Sequence, residues 1–131
     1  MIADPVSDLV SRINNCVRAR KRLVYMPCSK YKLALLSAIK SCGYLERVSV
    51  LRHSAYKADA LAEITYIAGE PLISSIIQIS KPGRRVYWNR RTLKAQTCRR
   101  FGTFLLSTAK GIVNTAAALP MFGGEVVCKL I

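Results

Sequence analysis

The sequence predicts an α+β fold in two lobes, an α-β-α-β-β lobe over residues 1–70 and a mainly β lobe over 71–131. Three observations predict it. Before residue 43, apolar residues recur twice at helical spacing. After it they fall into short runs set apart by glycine, proline and polar clusters, as strands do. Between the lobes lies Ala68-Gly69-Glu70-Pro71, a turn cluster too short to act as a flexible linker.

Each element has its own signal. Asp4-Pro5 offers an N-cap acceptor and then a proline at the first helical position. Val6, Leu9, Val10, Ile13 and Val17 follow on one face of that helix. A strand is expected over 23–26, stopped by Pro27. Ser29 caps a second helix with Leu33, Leu36 and Ile39 inward, Lys30, Lys32 and Lys40 outward, and Gly43 closing it. Strands are expected over 44–51 and 60–67. In the second lobe a strongly apolar strand is expected over 72–79, then a type II turn at Lys81-Pro82-Gly83-Arg84. The strand over 85–88 should put Arg85 and Tyr87 on one face, and Val86 and Trp88 on the other. A short helix over 92–98, a strand over 103–106, a helical turn over 114–118 ended by Pro120, and a last strand over 125–130 complete the chain.

Charge narrows the function. Lys and Arg number 21 against 7 acids, a net charge of +14, while 51% of residues are hydrophobic. That is a folded basic domain, whose first expected partner is nucleic acid and whose second is an anionic membrane surface. No apolar run approaches the roughly 18 residues that span a bilayer, and no apolar segment of a secretory signal opens the chain. The five cysteines, odd in number and without C-x-x-C spacing, read as reduced structural thiols rather than a metal site. No cofactor and no small-molecule substrate are expected.

The charge is also uneven. From Pro71 to Gly124 there is no acid. Two polar signatures sit in that stretch, Ser80-Lys81-Pro82-Gly83-Arg84-Arg85-Val86-Tyr87 and Ser107-Thr108-Ala109-Lys110-Gly111. Each follows an apolar run, so each should lie at a strand end or turn. Lys81, Arg84 and Arg85 suit phosphate, and Tyr87 beside them suits stacking on a base. Ser107 and Thr108 can read ribose hydroxyls and base edges, Lys110 can reach phosphate, and Gly111 permits close backbone approach. In the first lobe, Arg12 and the cations at 18, 20, 21 and 22 crowd one helix, again suiting phosphate. Four of the acids, Glu46, Asp59, Glu63 and Glu70, lie on or beside the hairpin, whose face should therefore turn away from a polyanion.

Two rival classes have weaker support. Ser107-Thr108-Ala109-Lys110 fits the S-x-x-K nucleophile pattern, but the S-D-N and K-T-G elements of that chemistry are missing. A hydrolase using Ser107 and Lys110 is therefore disfavoured, as is general acid-base work by the scattered acids and His53. A basic module for anionic surfaces is the other rival.

These residues together resemble the ribosomal protein S8 family, in its bacterial and organellar form. The resemblance rests on Asp4-Pro5-Val6-Ser7-Asp8-Leu9 with Arg12-Ile13-Asn14-Asn15, Met26-Pro27-Cys28-Ser29-Lys30, Gly43-Tyr44-Leu45, the two signatures above, and Gly123-Gly124-Glu125-Val126. The matches fall in order along nearly the whole chain. They imply an S8-like fold with the α/β lobe packed on the β lobe, and no catalysis. They imply binding to the central domain of small-subunit rRNA, support of subunit assembly and translation, and neighbouring small-subunit proteins as partners, with no membrane. The family's contacts carry onto Asn15, Ser29, Lys30, Tyr87, Ser107, Thr108, Lys110, Gly111 and Glu125. Arg12, Lys32, Lys81, Arg84, Arg85 and Gly124 complete the expected RNA-binding set. Ala109 stands where many relatives have a third hydroxyl. Such departures, with the cysteines and the high charge, favour an organellar ribosome. The mitochondrial matrix is preferred to plastid stroma or bacterial cytoplasm.

Overall fold

The computed structural model describes residues 4–99, 102–109, 111–114 and 123–131. Contacts divide the chain into two compact units, one ending at Ser75 and one beginning at Ile76. The sequence placed this division between residues 70 and 71.

The first unit follows the expected order. Helix α1 spans Pro5–Arg18 and α2 spans Lys30–Ser41; between and after them run β1 (Leu23–Pro27), β2 (Leu45–Arg52) and β3 (Ala58–Ile64). The Asp4 carboxylate accepts the Val6 amide at 3.2 Å, and the Ser29 hydroxyl accepts the Lys32 amide at 3.2 Å. Each satisfies an amide that has no partner inside its helix. The strands form an antiparallel sheet in the order β1-β3-β2. Because β1 is an edge strand, Pro27 can belong to it; only an inner position would need the missing N–H. Val24, Met26, Ala60, Ala62 and Ile64 are buried on one face of the sheet, with Leu9, Ile13, Leu35, Leu36 and Ile39 of the helices.

Two features of this unit differ from expectation. The strand over 60–67 breaks at Thr65, and Tyr66–Ile67 (β4) pairs back onto Glu70–Pro71 (β5). Ala68 and Gly69 both have positive φ, 53° and 80°, as a type I′ hairpin turn requires. Lys32 was expected outward, yet it is 3% exposed, and its ammonium lies 2.7 Å from the Asp8 carboxylate. The two residues stand on different helices and are neighbours only once α1 and α2 pack.

The second unit contains β6 (Ile76–Gln78), β7 (Tyr87–Trp88), α3 (Arg90–Arg99), β8 (Thr103–Thr108), β9 (Gly111–Asn114) and β10 (Gly124–Leu130). The sheet order is β6-β10-β8-β9, and β7 also pairs with β10. Leu93, Phe104, Leu106 and Val126 form a core cluster, with Ile79, Trp88 and Val113 packed against it. Trp88 meets Phe104 edge to face, ring centroids 4.9 Å apart. Such a pair contributes about 1 kcal/mol beyond its buried area. Trp88 is thus half-buried against the core, on the face that its alternation with Tyr87 predicted.

Corrections here come from short strands. The apolar run over 72–79 is strand only over Ile76–Gln78, since β6 pairs with just the last three residues of β10. Gly83 does not adopt a positive φ, so the Lys81–Arg84 turn is not type II. Lys81 and Arg84 nevertheless close it with two backbone hydrogen bonds, at 3.0 and 2.9 Å. Asn114 ends a strand rather than starting a helical turn. The rest of that expected turn, and Pro120, lie outside the described residues.

Candidate nucleic-acid interface

Strand register assembles the site of the second unit. Glu125 is paired directly with Ser107 on one side and with Tyr87 on the other. Directly opposed residues of antiparallel strands point to the same face. Tyr87, Glu125 and Ser107 therefore form one row across three strands, on the face opposite Leu106 and Val126. Tyr87 is 68% exposed, so its ring is open to a stacking partner. A carboxylate within an RNA surface would repel phosphate; here it holds the Arg85 guanidinium at 3.2 Å. Glu125 thereby sets where one cation of the basic turn is presented.

That turn is braced from below. Ser80 is buried, and its hydroxyl accepts the Val86 amide at 3.0 Å and donates to the Val86 carbonyl at 3.2 Å. The loop between them leaves Lys81, Pro82, Gly83, Arg84 and Arg85 exposed. The first residue of the signature thus does a structural job.

The second signature forms the connection of the β8–β9 hairpin. Ser107 and Thr108 end β8, and Gly111 opens β9 with φ 107°, a conformation that favours glycine. The Thr108 hydroxyl donates to the Gly111 carbonyl at 2.8 Å and so ties the two ends of the turn. Beside it, a Cβ added at Gly124 would stand 2.5 Å from the Ser107 carbonyl oxygen. Glycine is required there for β10 to approach β8. Lys110 lies outside the described residues.

The first unit presents its residues separately. Asn15 is exposed on α1 and lines a concavity of about 350 Å³ with Lys21, Tyr25 and Arg12. Arg12 is less open than its sequence position suggests. Its guanidinium binds Asp8 at 3.0 Å and the Tyr25 carbonyl at 2.8 Å, tying α1 to edge strand β1. Ser29 and Lys30 are exposed at the start of α2. Lys32 is withdrawn from any RNA surface by its burial against Asp8. Burial pushes the Asp8 carboxyl up, but hydrogen bonds from Lys32 and Arg12 outweigh it and hold the group below its ordinary value.

Two of the four cations at the end of α1 are also committed. Arg20 pairs with Glu70 at 2.9 Å, and Arg22 with Glu63 at 2.9 Å and Glu46 at 3.5 Å. Three of the four acids on or beside the hairpin, Glu46, Glu63 and Glu70, therefore neutralise neighbouring arginines. His53, without an obvious partner in the sequence, sits 2.9 Å from Asp59. Among the described residues, no group of three or more His, Cys, Asp or Glu could hold a metal, and no helix is long and apolar enough to cross a membrane.

Sequence reasoning missed Tyr25, whose ring is 51% exposed beside Asn15. The alternation of Leu23, Val24, Tyr25 and Met26 was the available signal. It missed the Asp8–Lys32 pair, for which 24 residues of separation left no local signal.

Comparison with known proteins gives a consistent result. The model of the family described as Ribosomal protein S8 matches residues 4–131. The small ribosomal subunit protein uS8 of Caulobacter vibrioides is 36% identical over 128 residues, covering 97% of this chain and 96% of its own. That of Bradyrhizobium sp. (strain BTAi1) is 38% identical over 125 residues, covering 95% and 94%. That of Burkholderia multivorans is 36% identical over 128 residues, covering 97% and 96%.

Proposed function

The chain belongs to the ribosomal protein S8 family, and from that premise we propose that it binds the central domain of small-subunit rRNA directly and supports assembly of the subunit. The family is one of structural proteins of the small ribosomal subunit, not of enzymes, so the S-x-x-K match at Ser107 has no catalytic meaning. The observation that carries the proposal is the row Tyr87–Glu125–Ser107, set beside the Thr108–Gly111 turn in a unit with a single acid. A stacking ring, a hydroxyl and an arginine oriented by a carboxylate are the groups that recognise ribose, base and phosphate together.

The contact set is Asn15, Ser29 and Lys30 in the first unit. In the second it is Lys81, Arg84, Arg85, Tyr87, Ser107, Thr108, Lys110, Gly111, Gly124 and Glu125. Ser107 and Thr108 read the RNA, the cations supply the salt-dependent part of the affinity, and the glycines keep the backbone close. Neighbouring small-subunit proteins complete the environment. The ribosome is organellar, with the mitochondrial matrix favoured; divergence from the bacterial relatives and the five cysteines support this. Imaging of the tagged protein in its source cell tests that placement, and exclusion from mitochondria would overturn it.

The test of the function is affinity for a central-domain rRNA helix against a scrambled RNA. Ser107→Ala with Thr108→Ala should weaken binding to the rRNA helix about tenfold or more, at about 1 kcal/mol per hydroxyl lost. Thr108→Ser, which keeps the hydroxyl, should lose much less. Equal affinity for both RNAs at every salt concentration would overturn the specific claim.

A further inference from the structure

A second place in the first unit has the chemistry of an RNA contact; it begins at Lys30 of the second motif and extends to Arg52, Tyr56 and Lys57, which the family motifs do not include. A groove of about 290 Å³ lies between the start of α2 and the β2–β3 hairpin. Leu33 and Val50 give it an apolar lining, and Lys30, Arg52 and Lys57 surround it. No carboxylate lines it; Asp59, the acid on the same hairpin, is turned onto His53 at 2.9 Å. Among the described residues these three cations make no ion pair. The opening of α2 has no acid in its first turn, so the positive end of its dipole adds to the same field.

Tyr56 stands at this groove 97% exposed. An aromatic ring wholly in water at a hairpin tip does nothing for the core. The tip itself is ordered. The Ser54 hydroxyl accepts the amides of Tyr56 and Lys57 at 3.3 and 3.1 Å, and the Lys57 carbonyl accepts the amides of His53 and Ser54 at 2.9 and 3.2 Å. The ring is therefore presented by a closed turn.

We propose that this groove holds one unpaired nucleotide of an RNA strand, with the base stacked on Tyr56 and the flanking phosphates on Lys30, Arg52 and Lys57. Charge complementarity commits the site to a polyanion. The isolated ring commits it to one with bases, since a phosphorylated surface without π-faces would leave Tyr56 unused. A paired helix has its bases stacked internally and would meet only the cations. This inference rests on the RNA-binding reading above and shares Lys30 with it, but Arg52, Tyr56 and Lys57 are outside that contact set.

The probe is an oligouridylate of about eight nucleotides, titrated into the full chain alongside an RNA duplex of equal length. Tyr56→Ala should weaken the oligouridylate about tenfold and persist as a loss at high salt. Tyr56→Phe should bind as the natural chain does, because stacking needs no hydroxyl. Lys57→Gln should instead flatten the dependence on salt. The effect of Tyr56→Ala should be the same with and without Ser107→Ala and Thr108→Ala, which separates this site from the other. The proposal is overturned if the natural chain does not bind the oligouridylate, or if Tyr56→Ala leaves its affinity unchanged. An equal loss for the duplex overturns it, as does a Tyr56-dependent affinity for a poly-glutamate peptide, which would mark a protein partner. Retained, Ser107-dependent binding of the rRNA helix in any of those cases would leave the main function standing.

Discussion

Up to Ser75 the chain carries eleven Lys and Arg among six acids; from Ile76 it carries ten among one, Glu125. Both regions are basic by count. Among the described residues, five of the six pairs of Lys or Arg with a carboxylate fall in the first and one in the second. In the first unit the acids are spent on joining elements: Asp8 holds α2 to α1 through Lys32, and Arg22 reaches across to Glu46 and Glu63 of the sheet. In the second, the one acid orients a cation, Lys129 lies half-buried over the Phe104 ring, and Lys81, Arg84, Arg90, Arg91 and Lys94 face solvent. Net charge therefore overstates the phosphate-facing surface of the first unit. What matters for a polyanion is charge left without a partner in the fold.

The largest expected effect tests the inward-facing pair. Asp8→Ala strands a buried ammonium and should cost about 3 kcal/mol in urea unfolding. Adding Lys32→Met removes the stranded charge and should restore most of that stability. If Lys32→Met alone reduced rRNA affinity without touching stability, Lys32 would belong to the RNA surface and the contrast between the units would fail.

Next comes the outward-facing charge. Replacing Lys81, Arg84 and Arg85 together by Gln should lower RNA affinity about a hundredfold near 0.1 M salt and flatten the salt slope by roughly two to three. Replacing Arg20 and Arg22 by Gln should change the slope far less, since both already have carboxylate partners. Equal effects from the two sets would erase the distinction drawn here.

Gly124→Ala should cost about 2 kcal/mol, because its methyl group would meet the Ser107 carbonyl and force β10 from β8. It should weaken specific RNA binding as well, by moving Ser107. Unchanged stability would mean that the two strands can part without strain.

The smallest effect is a pH dependence confined to the first unit. Asp8 is held below its ordinary value in the fold, so around pH 3–4 the unfolded chain binds more protons than the folded one. The contribution of Asp8 to stability is thus full above about pH 5 and is lost as pH falls through the folded value. Asp8→Asn should remove that part of the acid sensitivity; an unaltered pH profile would exclude it.

Much of this was visible in the chain. Asp4-Pro5 and Ser29 marked both helix starts because caps are local chemistry, and the alternation of Val86, Tyr87 and Trp88 gave the faces correctly for the same reason. The two polar signatures stood out because they interrupt apolar runs, and both fall at turns. Lys32 was misplaced because Lys30, Lys32 and Lys40 look alike along a helix until the acid that meets one of them is known. The run over 72–79 was drawn as one strand because hydrophobicity reports burial, while strand length also needs a partner of equal length. That Ser80 is a buried brace was not legible, since a hydroxyl serves a ligand or the backbone equally well.

The sequence alone determined the family, the α+β order of the elements, and the concentration of unbalanced charge after Pro71, since all three are carried by residue types and short spacings. Tertiary structure alone decided which cations remain open, and that Tyr87, Glu125 and Ser107 stand in one row. Those outcomes depend on strand register and on helix packing, which bring together residues tens of positions apart and leave no trace in local order.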